Sequence, residues 1–505
     1  MPIVNQENSC SILARGEFPI LYVYREGGKT AISTEKPAVR EAFAVPNLTA
    51  ESFGDEDFKK TYGLKYALYG GAMANGIASA DMVIALGQAG CMGSYGSGGM
   101  SLEAVEQAID TIKGALGGKP YLVNMLSNRN LQAEMALARM LVEKEVPAVE
   151  ASAYITPSEA LVYYRLKGLR RGEDGSPVIP RRIIAKVSRE EVLEKFVSPP
   201  PAEAVEALLK AGLITAEEAS LAAQIPMADD ITVEADSGGH TDGRPLVSML
   251  PALIALANRK QKEFGYGQRV RVGAGGGIGT GLSCLGAFEM GAAYVVTGSV
   301  NQGCVEAGTS DYVKAILAET EMADVTMAPC ADMFEMGARV EVIKKKTMYA
   351  QNAQKLYECY VKYASFEDIP AADRERIEKK ILKASFDNIW RDTRDYFARV
   401  DPAKIPQAEK NPKMKMALVF RWYLGSSSRW AVQGDPARRF DMQIWCGQAM
   451  GAFNLWVKGT SLEEAGNRRV GEVAELLMNS CAYHSVKNLL VRLGADGRDF
   501  REDIL

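Results

Sequence analysis

Residues 270–279 read VRVGAGGGIG, and residues 293–299 read AYVVTGS. Each stretch is a short apolar run that ends in glycine, and a helical pattern follows the first of them. Glycine backbone can approach an anion closely, and the N–H groups that open the next helix point toward that anion. We therefore predict two successive units whose loops, residues 275–277 and 298–299, bind a phosphate. The alternative is that these glycines only form tight turns.

A dinucleotide-binding G-x-G-x-x-G fingerprint does not fit the first glycine cluster. Counting from Gly273 or Gly275, the last position of the motif holds Ile278 or Thr280. A (β/α)8 barrel explains the two loops better, because the loops after its seventh and eighth strands frequently form a phosphate site.

The same rhythm of apolar run and helical stretch extends back to residue 65. The eight apolar runs are Lys65–Gly70, Gly90–Ser94, Tyr121–Met125, Ala148–Ala151, Ile183–Val187, Ile231–Ala235, Val270–Gly273 and Ala293–Thr297. Helical stretches between them include Ser101–Leu116, Leu131–Lys144 and Leu246–Phe264. Eight such units over roughly 250 residues match an α/β fold of the (β/α)8 TIM barrel type. A doubly wound sheet is the nearest alternative.

The chain is expected to have three parts. We predict an irregular or β N-terminal extension over residues 1–60, the barrel over residues 61–345 and a helical domain over residues 346–505. Within the barrel, three consecutive prolines precede an amphipathic helical pair, which predicts a helical insert around residues 199–228. After residue 345 the strand rhythm stops, and prolines punctuate a helical pattern.

Composition excludes several classes of function. The chain has 505 residues with 59 basic and 63 acidic side chains, and its net charge of −4 argues against general electrostatic binding of nucleic acid. No apolar run is long enough for a membrane span, and the N-terminus lacks the apolar region of a secretion signal. The eight cysteines form no CxxC pair, so we expect buried thiols in a cytoplasmic protein, with no disulfide framework and no metal site.

Polar residues stand at the ends of several predicted strands, where barrel enzymes place their active sites. His240 follows the sixth run, and a histidine there can donate a hydrogen bond or a proton near neutral pH. Its alternative role is to cap the next helix. Lys186 is a charge inside the fifth run, which indicates an anionic ligand unless the side chain reaches solvent. Asn124 and Glu150 end the third and fourth runs on the same rim, whereas His484 fits a packing or surface position.

Five motifs resemble those of the PfaD-type trans-acting enoyl reductases, which serve polyunsaturated fatty acid and polyketide synthases. The motifs are GGAMANGIAS (70–79), SGGHTD (237–242), GSVNQ (298–302), EMADV (321–325) and IWCGQAMGAFN (444–454). This family belongs to the wider superfamily of nitronate monooxygenases and FabK-type enoyl reductases. The resemblance extends from about residue 18 to about residue 490, and the two C-terminal motifs are the ones specific to this branch.

The resemblance implies an FMN-binding barrel that uses NADPH, or NADH, to reduce a 2-enoyl thioester carried on acyl carrier protein. It also implies the residues that contact FMN: Ala72, Met73, Asn124, Glu234, Gly239, Gly276, Gly298 and Ser299. To these we add neighbours on the same loops and strand ends: Glu150, Lys186, Asp236, Gly238, Gly275, Gly277 and Thr297.

His240 and Lys186 are the expected catalytic residues. Lys186 would stabilise the negative charge of the reduced flavin. Negative charge also develops on the thioester oxygen, and His240 would either donate a hydrogen bond to that oxygen or protonate the α-carbon.

Three other functions compete with enoyl reduction. A nitronate monooxygenase would share the barrel, FMN and the histidine but would use oxygen, and the long helical C-terminal region argues against it. An IMP-dehydrogenase-like enzyme needs a cysteine on the sixth loop, which holds His240 and no cysteine. The third is a non-catalytic flavin-binding subunit of a synthase. For the oligomeric state, the sequence is compatible with a homodimer.

Overall fold

A computed structural model describes residues 4–15, 18–39, 41–128 and 130–505, with the backbone alone at residues 14 and 15. Residues 1–3, 16–17 and 40 of the expected N-terminal extension lie outside the described residues. The strands are β1 (Ile20–Glu26), β2 (Lys29–Ser33), β3 (Phe43–Pro46), β4 (Leu68–Gly70), β5 (Met92–Tyr95), β6 (Leu122–Leu126), β7 (Ala148–Ser152), β8 (Arg170–Arg171), β9 (Pro177–Val178), β10 (Arg182–Val187), β11 (Asp230–Glu234), β12 (Arg271–Gly275), β13 (Val295–Thr297), β14 (Val325–Pro329) and β15 (Arg339–Ile343).

The helices vary from a single turn to more than six turns. They are α1 (Ser9–Arg15), α2 (Glu56–Tyr62), α3 (Ala80–Gln88), α4 (Leu102–Leu116), α5 (Leu131–Glu143), α6 (Glu159–Leu166), α7 (Glu190–Val197), α8 (Ala202–Lys210), α9 (Ala216–Leu221), α10 (Leu246–Phe264), α11 (Gly281–Glu289), α12 (Ser299–Gln302), α13 (Asp311–Ala318), α14 (Tyr349–Lys362), α15 (Ala371–Arg376), α16 (Phe386–Val400), α17 (Lys404–Lys410), α18 (Pro412–Gln433), α19 (Ala449–Trp456) and α20 (Val470–Arg492).

Eight parallel strands close into a barrel in the order β10-β11-β12-β13-β4-β5-β6-β7. Each of the eight apolar runs overlaps one of these strands, so the TIM barrel prediction is confirmed. Four further pairings in the described chain, β1 with β2, β1 with β3, β8 with β9 and β14 with β15, are antiparallel and lie outside the barrel.

Aromatic side chains fill the barrel interior. The ring of Phe58, on α2, stacks on Tyr294 with the ring centroids 4.1 Å apart. Thr232 shares hydrogen bonds of 3.0 Å with the hydroxyl groups of Tyr69 and Tyr294. The interior is therefore a packed core rather than a pore, as expected for an eight-stranded barrel.

The helical insert forms where the sequence predicts it, as α8 and α9. Helix α9 begins with a capping box in which the Thr215 hydroxyl accepts from the Glu218 N–H and the Glu218 carboxylate accepts from the Thr215 N–H. This S/T-x-x-E pattern satisfies two N–H groups that the helix itself leaves without partners.

The chain forms two compact units. The first comprises Met1–Asp236, Asp242–Gly308 and Leu455–Leu505, and it contains the barrel. The second comprises Ser237–Thr241 and Thr309–Asn454. These units differ from the three parts expected from the sequence.

Packing within each unit explains the difference. Residues 309–345 belong to the second unit because the β14–β15 hairpin shares a core with α14, in which Val340 and Val342 join Leu356. Residues 455–505 belong to the barrel unit because α20 packs along α11, where a Cβ on Gly281 would overlap Ser480.

Two other features bear on the sequence expectations. All eight cysteines are free thiols, and all except Cys10 are buried. Among the described residues, no helix combines the length and the apolar character that crossing a bilayer requires.

Candidate active site

A layer of polar side chains occupies the carboxyl end of the barrel interior, and we call it the polar layer. Its members are Ser94, Asn124, Glu150, Lys186 and Glu234. Side chains alternate between the two faces of a strand, so each member points the same way as the residue two positions before it. Those earlier residues are Met92, Leu122, Ala148, Ile184 and Thr232, which belong to or contact the aromatic core. The polar layer therefore lies on top of that core, at the end where barrel enzymes place their active sites.

Lys186 lies between two carboxylates in this layer. Its Nζ is 2.6 Å from Glu234 Oε1 and 3.5 Å from Glu150 Oε1. Burial alone would lower the pKa of Lys186, but the attraction of Glu234 and Glu150 outweighs it, and the pKa is raised above its usual value. The amine is therefore held in its charged form.

The pairing of Lys186 changes the interpretation of this residue. The sequence indicated an anionic ligand, yet the two anions beside Lys186 are side chains of the protein itself. One cation between two carboxylates leaves a formal charge of −1, so Lys186 does not offer an unbalanced positive charge to a ligand.

Glu150 connects the polar layer to the loop after β4. Its Oε2 accepts a hydrogen bond of 2.9 Å from the Ala72 N–H. Asn124 donates from its amide to the Glu150 carbonyl and to Ser152 Oγ, at 3.0 Å each. Met73 is brought close to the next loop, because a Cβ on Gly96 would overlap the Met73 carbonyl. Thus Ala72, Asn124, Glu150, Lys186 and Glu234 form one connected cluster, as expected for residues of one site.

The loops after β12 and β13 contain the predicted phosphate-binding glycines. Gly276 has φ +90°, and a Cβ on it would lie 2.8 Å from the Asp236 carbonyl oxygen at the end of the β11 segment. Gly277 has φ +74°, and a Cβ on Gly277 or on Gly298 would meet no atom within 4 Å. Both loops therefore expose backbone to open space.

A short helix follows the second of these loops. Helix α12 begins at Ser299, directly after β13, and no side chain caps its N-terminus. This is the arrangement in which barrels bind phosphate, with loops after strands seven and eight and a short extra helix.

Three predicted contact residues also make hydrogen bonds that hold the strand ends and loops in place. The Thr297 hydroxyl is buried and accepts from Asn301 Nδ2 at 2.9 Å, which fixes the start of α12. Gly275 accepts a backbone hydrogen bond from Ala235 between β12 and β11. Asp236 donates its backbone N–H to the Arg244 carbonyl.

The described residues fit a flavin nucleotide. The open backbone at Gly277 and Gly298 leaves room for a phosphate, as a cradle without side chains requires. At the polar layer, Ser94 Oγ is buried and makes no hydrogen bond within the protein. Buried polar atoms without partners are rare, so this atom indicates a polar group of a ligand.

The loop that carries His240 belongs to the second unit. Gly239 exchanges two backbone hydrogen bonds with Glu341 on β15, and a Cβ on Gly238 would lie 2.7 Å from the backbone of Cys446. These close backbone contacts account for glycine at positions 238 and 239, whether or not a cofactor binds. The His240 side chain is 52% exposed, and its Nε2 lies 3.4 Å from Asp332 Oδ2.

Asp332, the residue beside His240, was not identified from the sequence. It lies 92 positions after His240, on the loop between β14 and β15, and belongs to none of the motifs. The second histidine, His484, is buried on α20 and bonds to Asp503 at 2.8 Å, as expected for a packing residue.

Three of the motifs assemble within the second unit. Gly451, in the segment 444–454, approaches the backbone of Met322 so closely that a Cβ would overlap it. Asn454 donates to the carbonyls of Leu317 and Thr320 just before the segment 321–325. Since Cys446 also contacts Gly238, one cluster of backbone contacts joins the loop 237–241 with both C-terminal motifs.

Comparison with protein families gives two matches. Residues 56–387 match nitronate monooxygenase. The chain belongs to the nitronate monooxygenase family. Residues 363–442 match the inserted helical domain of [acyl-carrier-protein] S-malonyltransferase, and they fall within the second unit.

One solved structure is similar to most of this chain and to nearly the whole of its own length. The enoyl reductase domain of MlnA, from the macrolactin biosynthesis cluster of Bacillus amyloliquefaciens, is 39% identical, with a TM-score of 0.83 over 88% of this chain and 99% of that domain. FabK from Thermotoga maritima is 18% identical with a TM-score of 0.52, which shows a shared fold. The resemblance found in the sequence is thereby confirmed.

Two proteins of polyunsaturated fatty acid and polyketide synthesis are similar in sequence to this chain. A polyunsaturated fatty acid synthase subunit of a Thraustochytrium species is 48% identical over 84% of this chain, and polyketide biosynthesis protein PksE of Bacillus subtilis is 44% identical over 92%. The chain spans 29% of the first protein and 60% of the second.

Proposed function

We propose that this chain is a flavin-dependent oxidoreductase that reduces 2-enoyl thioesters on acyl carrier protein during polyketide or polyunsaturated fatty acid synthesis, with NADPH as the reductant. The observation that carries the proposal is the similarity to the MlnA enoyl reductase domain, which covers 99% of that domain. Similarity to a polyunsaturated fatty acid synthase subunit and to PksE supports a carrier-bound substrate. A cytoplasmic location and a homodimer stay predictions.

FMN is the proposed cofactor, and it would supply transfer of reducing equivalents from the nicotinamide to the enoyl group. Gly276, Gly277, Gly298 and Ser299 would hold its phosphate, supported by the open backbone at Gly277 and Gly298 and by the start of α12, which no side chain caps. The polar layer and the Ala72–Met73 segment would orient the ring. Lys186, fixed between its two carboxylates, is a positioning residue in this proposal.

His240 is the proposed donor to the substrate. Its side chain is half exposed, so a substrate can reach it, and Asp332 lies close enough to orient the ring. A donor to the thioester oxygen would stabilise the charge that develops there, and a proton on the same ring could reach the α-carbon.

The family match also favours a second function, the oxygen-dependent oxidation of a nitronate. The purified protein decides between the two. We expect a flavin absorbance spectrum, FMN in the supernatant after denaturation, and sustained anaerobic turnover of NADPH only when a crotonyl thioester is present to reoxidise the flavin. Oxygen uptake with a nitroalkane and no response to the thioester would instead assign nitronate oxidation. A colourless protein that takes up no FMN would contradict both.

A further inference from the structure

The hairpin β14–β15 holds the loop that carries His240 and also supplies its neighbour Asp332. Gly239 exchanges two backbone hydrogen bonds with Glu341 on β15, at 3.0 and 2.7 Å. The loop that joins β14 to β15 contains Asp332, whose Oδ2 lies 3.4 Å from His240 Nε2. One element of the second unit therefore places both side chains, although they lie far apart in sequence.

Buried contacts on either side of Asp332 fix the loop between β14 and β15. The thiol of Cys330, which is 3% exposed, donates to the Asp332 carbonyl at 3.0 Å. Phe334 is fully buried, and its ring packs against Tyr357 and Tyr360 with centroids 5.5 and 5.2 Å apart. A loop held in this way loses little further freedom when the carboxylate of Asp332 engages a neighbour.

The backbone is strained directly after Asp332. Met333 has φ +50°, in the left-handed region, which costs free energy in residues other than glycine. Such strain persists only where the surrounding contacts maintain it, and it is concentrated at functional sites. Here the turn places Phe334 in the core while the side chain of Asp332 stays 76% exposed beside His240.

The contact engages one of the two ring nitrogens of His240. A carboxylate only accepts hydrogen bonds, so Nε2 is the nitrogen that carries a proton toward Asp332. Hydrogen bonds between catalytic groups are frequently long before substrate binds and shorten in the complex. Nδ1 is then left for the substrate, and donation from it needs a ring protonated on both nitrogens, whose charge the carboxylate stabilises.

We propose that Asp332 is a positioning residue for His240: its carboxylate holds Nε2 and turns Nδ1 toward the thioester oxygen. The inference rests on the proposed function, because it assigns His240 to the enoyl substrate. Asp332 touches neither the substrate nor the cofactor in this assignment and acts only through the imidazole ring. Replacing Asp332 should therefore have an effect only while His240 is present.

A double-mutant cycle on the flavin-loaded full chain tests this assignment. We expect Asp332→Asn to lower kcat for reduction of a crotonyl thioester about fivefold with little change in KM, as for loss of one exposed charged contact. His240→Ala and the double variant should have equal kcat, because no ring is left to hold. Asp368→Asn, the same change at an exposed aspartate elsewhere in the second unit, should leave kcat unchanged.

Acylation of His240 by diethyl pyrocarbonate reports the contact without turnover. The chain has two histidines, and His484 is buried, so it serves as the internal reference. The reagent attacks an accessible, uncharged ring nitrogen, so Asp332→Asn should speed the acylation of His240 roughly threefold. Mass spectrometry of the peptides measures this, and Asp368→Asn should not change the rate.

Replacing His240 by each amide identifies the nitrogen that serves the substrate. The amide nitrogen lies near the position of Nδ1 in His240→Asn and of Nε2 in His240→Gln, so the first variant should retain more enoyl reduction. An equal or higher rate in His240→Gln would overturn the proposal. So would an unchanged kcat or acylation rate in Asp332→Asn, or a further loss from that change in the His240→Ala background. A wild type that reduces no enoyl thioester, with faster acylation in Asp332→Asn, would support the contact and contradict the proposed function.

Discussion

Lys186 is a buried cation whose ion-pair partners are Glu150 and Glu234. Replacing it by methionine leaves two carboxylates without their counter-charge in the barrel interior. We expect Lys186→Met to lower the free energy of unfolding by about 3 kcal/mol, as for removing one partner of a buried pair. Denaturant unfolding measures this, and Lys210→Met on the exposed face of α8 should change stability by no more than about 0.5 kcal/mol.

The raised pKa of Lys186 determines how the difference in the free energy of unfolding between the wild type and Lys186→Met depends on pH. A lysine whose pKa is higher in the folded state stabilises fully below its unfolded pKa of about 10.4, and the contribution is lost as the pH rises through the folded value. The stability difference between wild type and Lys186→Met should therefore be constant from pH 7 to about pH 9. A difference that disappears within this range would contradict the ion-pair interpretation.

His240 is exposed and contributes nothing to a buried core, so His240→Ala should fold normally and retain FMN. If the ring donates to the thioester, we expect enoyl reduction to slow by roughly 10²–10³-fold, as for one oxyanion donor. Oxidation of NADPH without enoyl substrate should change far less, because no charge develops on a thioester in that reaction. Stopped-flow measurement of the two reactions separates them. Equal slowing of both would mean that His240 positions the flavin.

Two glycines of helix α11 differ in how closely they pack, so replacing each by alanine tests the packing of α11 against α20. Gly281 opens α11 against α20, where a Cβ would overlap Ser480, whereas a Cβ on Gly286 of the same helix would meet nothing within 4 Å. Gly281→Ala should destabilise by about 1–3 kcal/mol through overpacking. Gly286→Ala should stabilise by up to about 1 kcal/mol through helix propensity. Thermal unfolding of both variants checks this, and equal shifts would contradict the described packing.

The barrel strands were predictable because each is a short apolar run that ends in glycine or a polar residue, and their polar ends identified Asn124, Glu150 and Lys186. The β14–β15 hairpin was not predicted, since its two five-residue strands follow no glycine loop and lie outside the repeating pattern of strand and helix. Asp332 was missed because its partner is 92 residues away. Likewise, no local pattern shows that Lys186 is shared by two carboxylates on different strands.

At the scale of the whole chain, residues 455–505 belong to the barrel unit although they follow the second unit in sequence. Tyr483, Val486 and Leu490 of α20 share a core with Leu21 and Val23 of β1. A chain that ends at residue 454 therefore exposes this core and the face of α11. We expect it to be poorly soluble and to lose its cooperative thermal transition, measured by circular dichroism. A truncated chain that melts like the full chain would show that α20 is dispensable.

The five residues Ser237–Thr241 leave the barrel unit and return to it, while the segments that hold them, around Glu341 and Cys446, come from much later in the chain. The proposed donor His240 and the proposed phosphate-binding loops therefore belong to different units and are held by different parts of the chain. If His240 is the substrate donor proposed above, mutations in residues 309–454 would change its surroundings while every barrel residue stays unchanged. Directed evolution of substrate preference should therefore begin with libraries at the loop's supports, including Trp445 and Gly447, before any position in the barrel is altered.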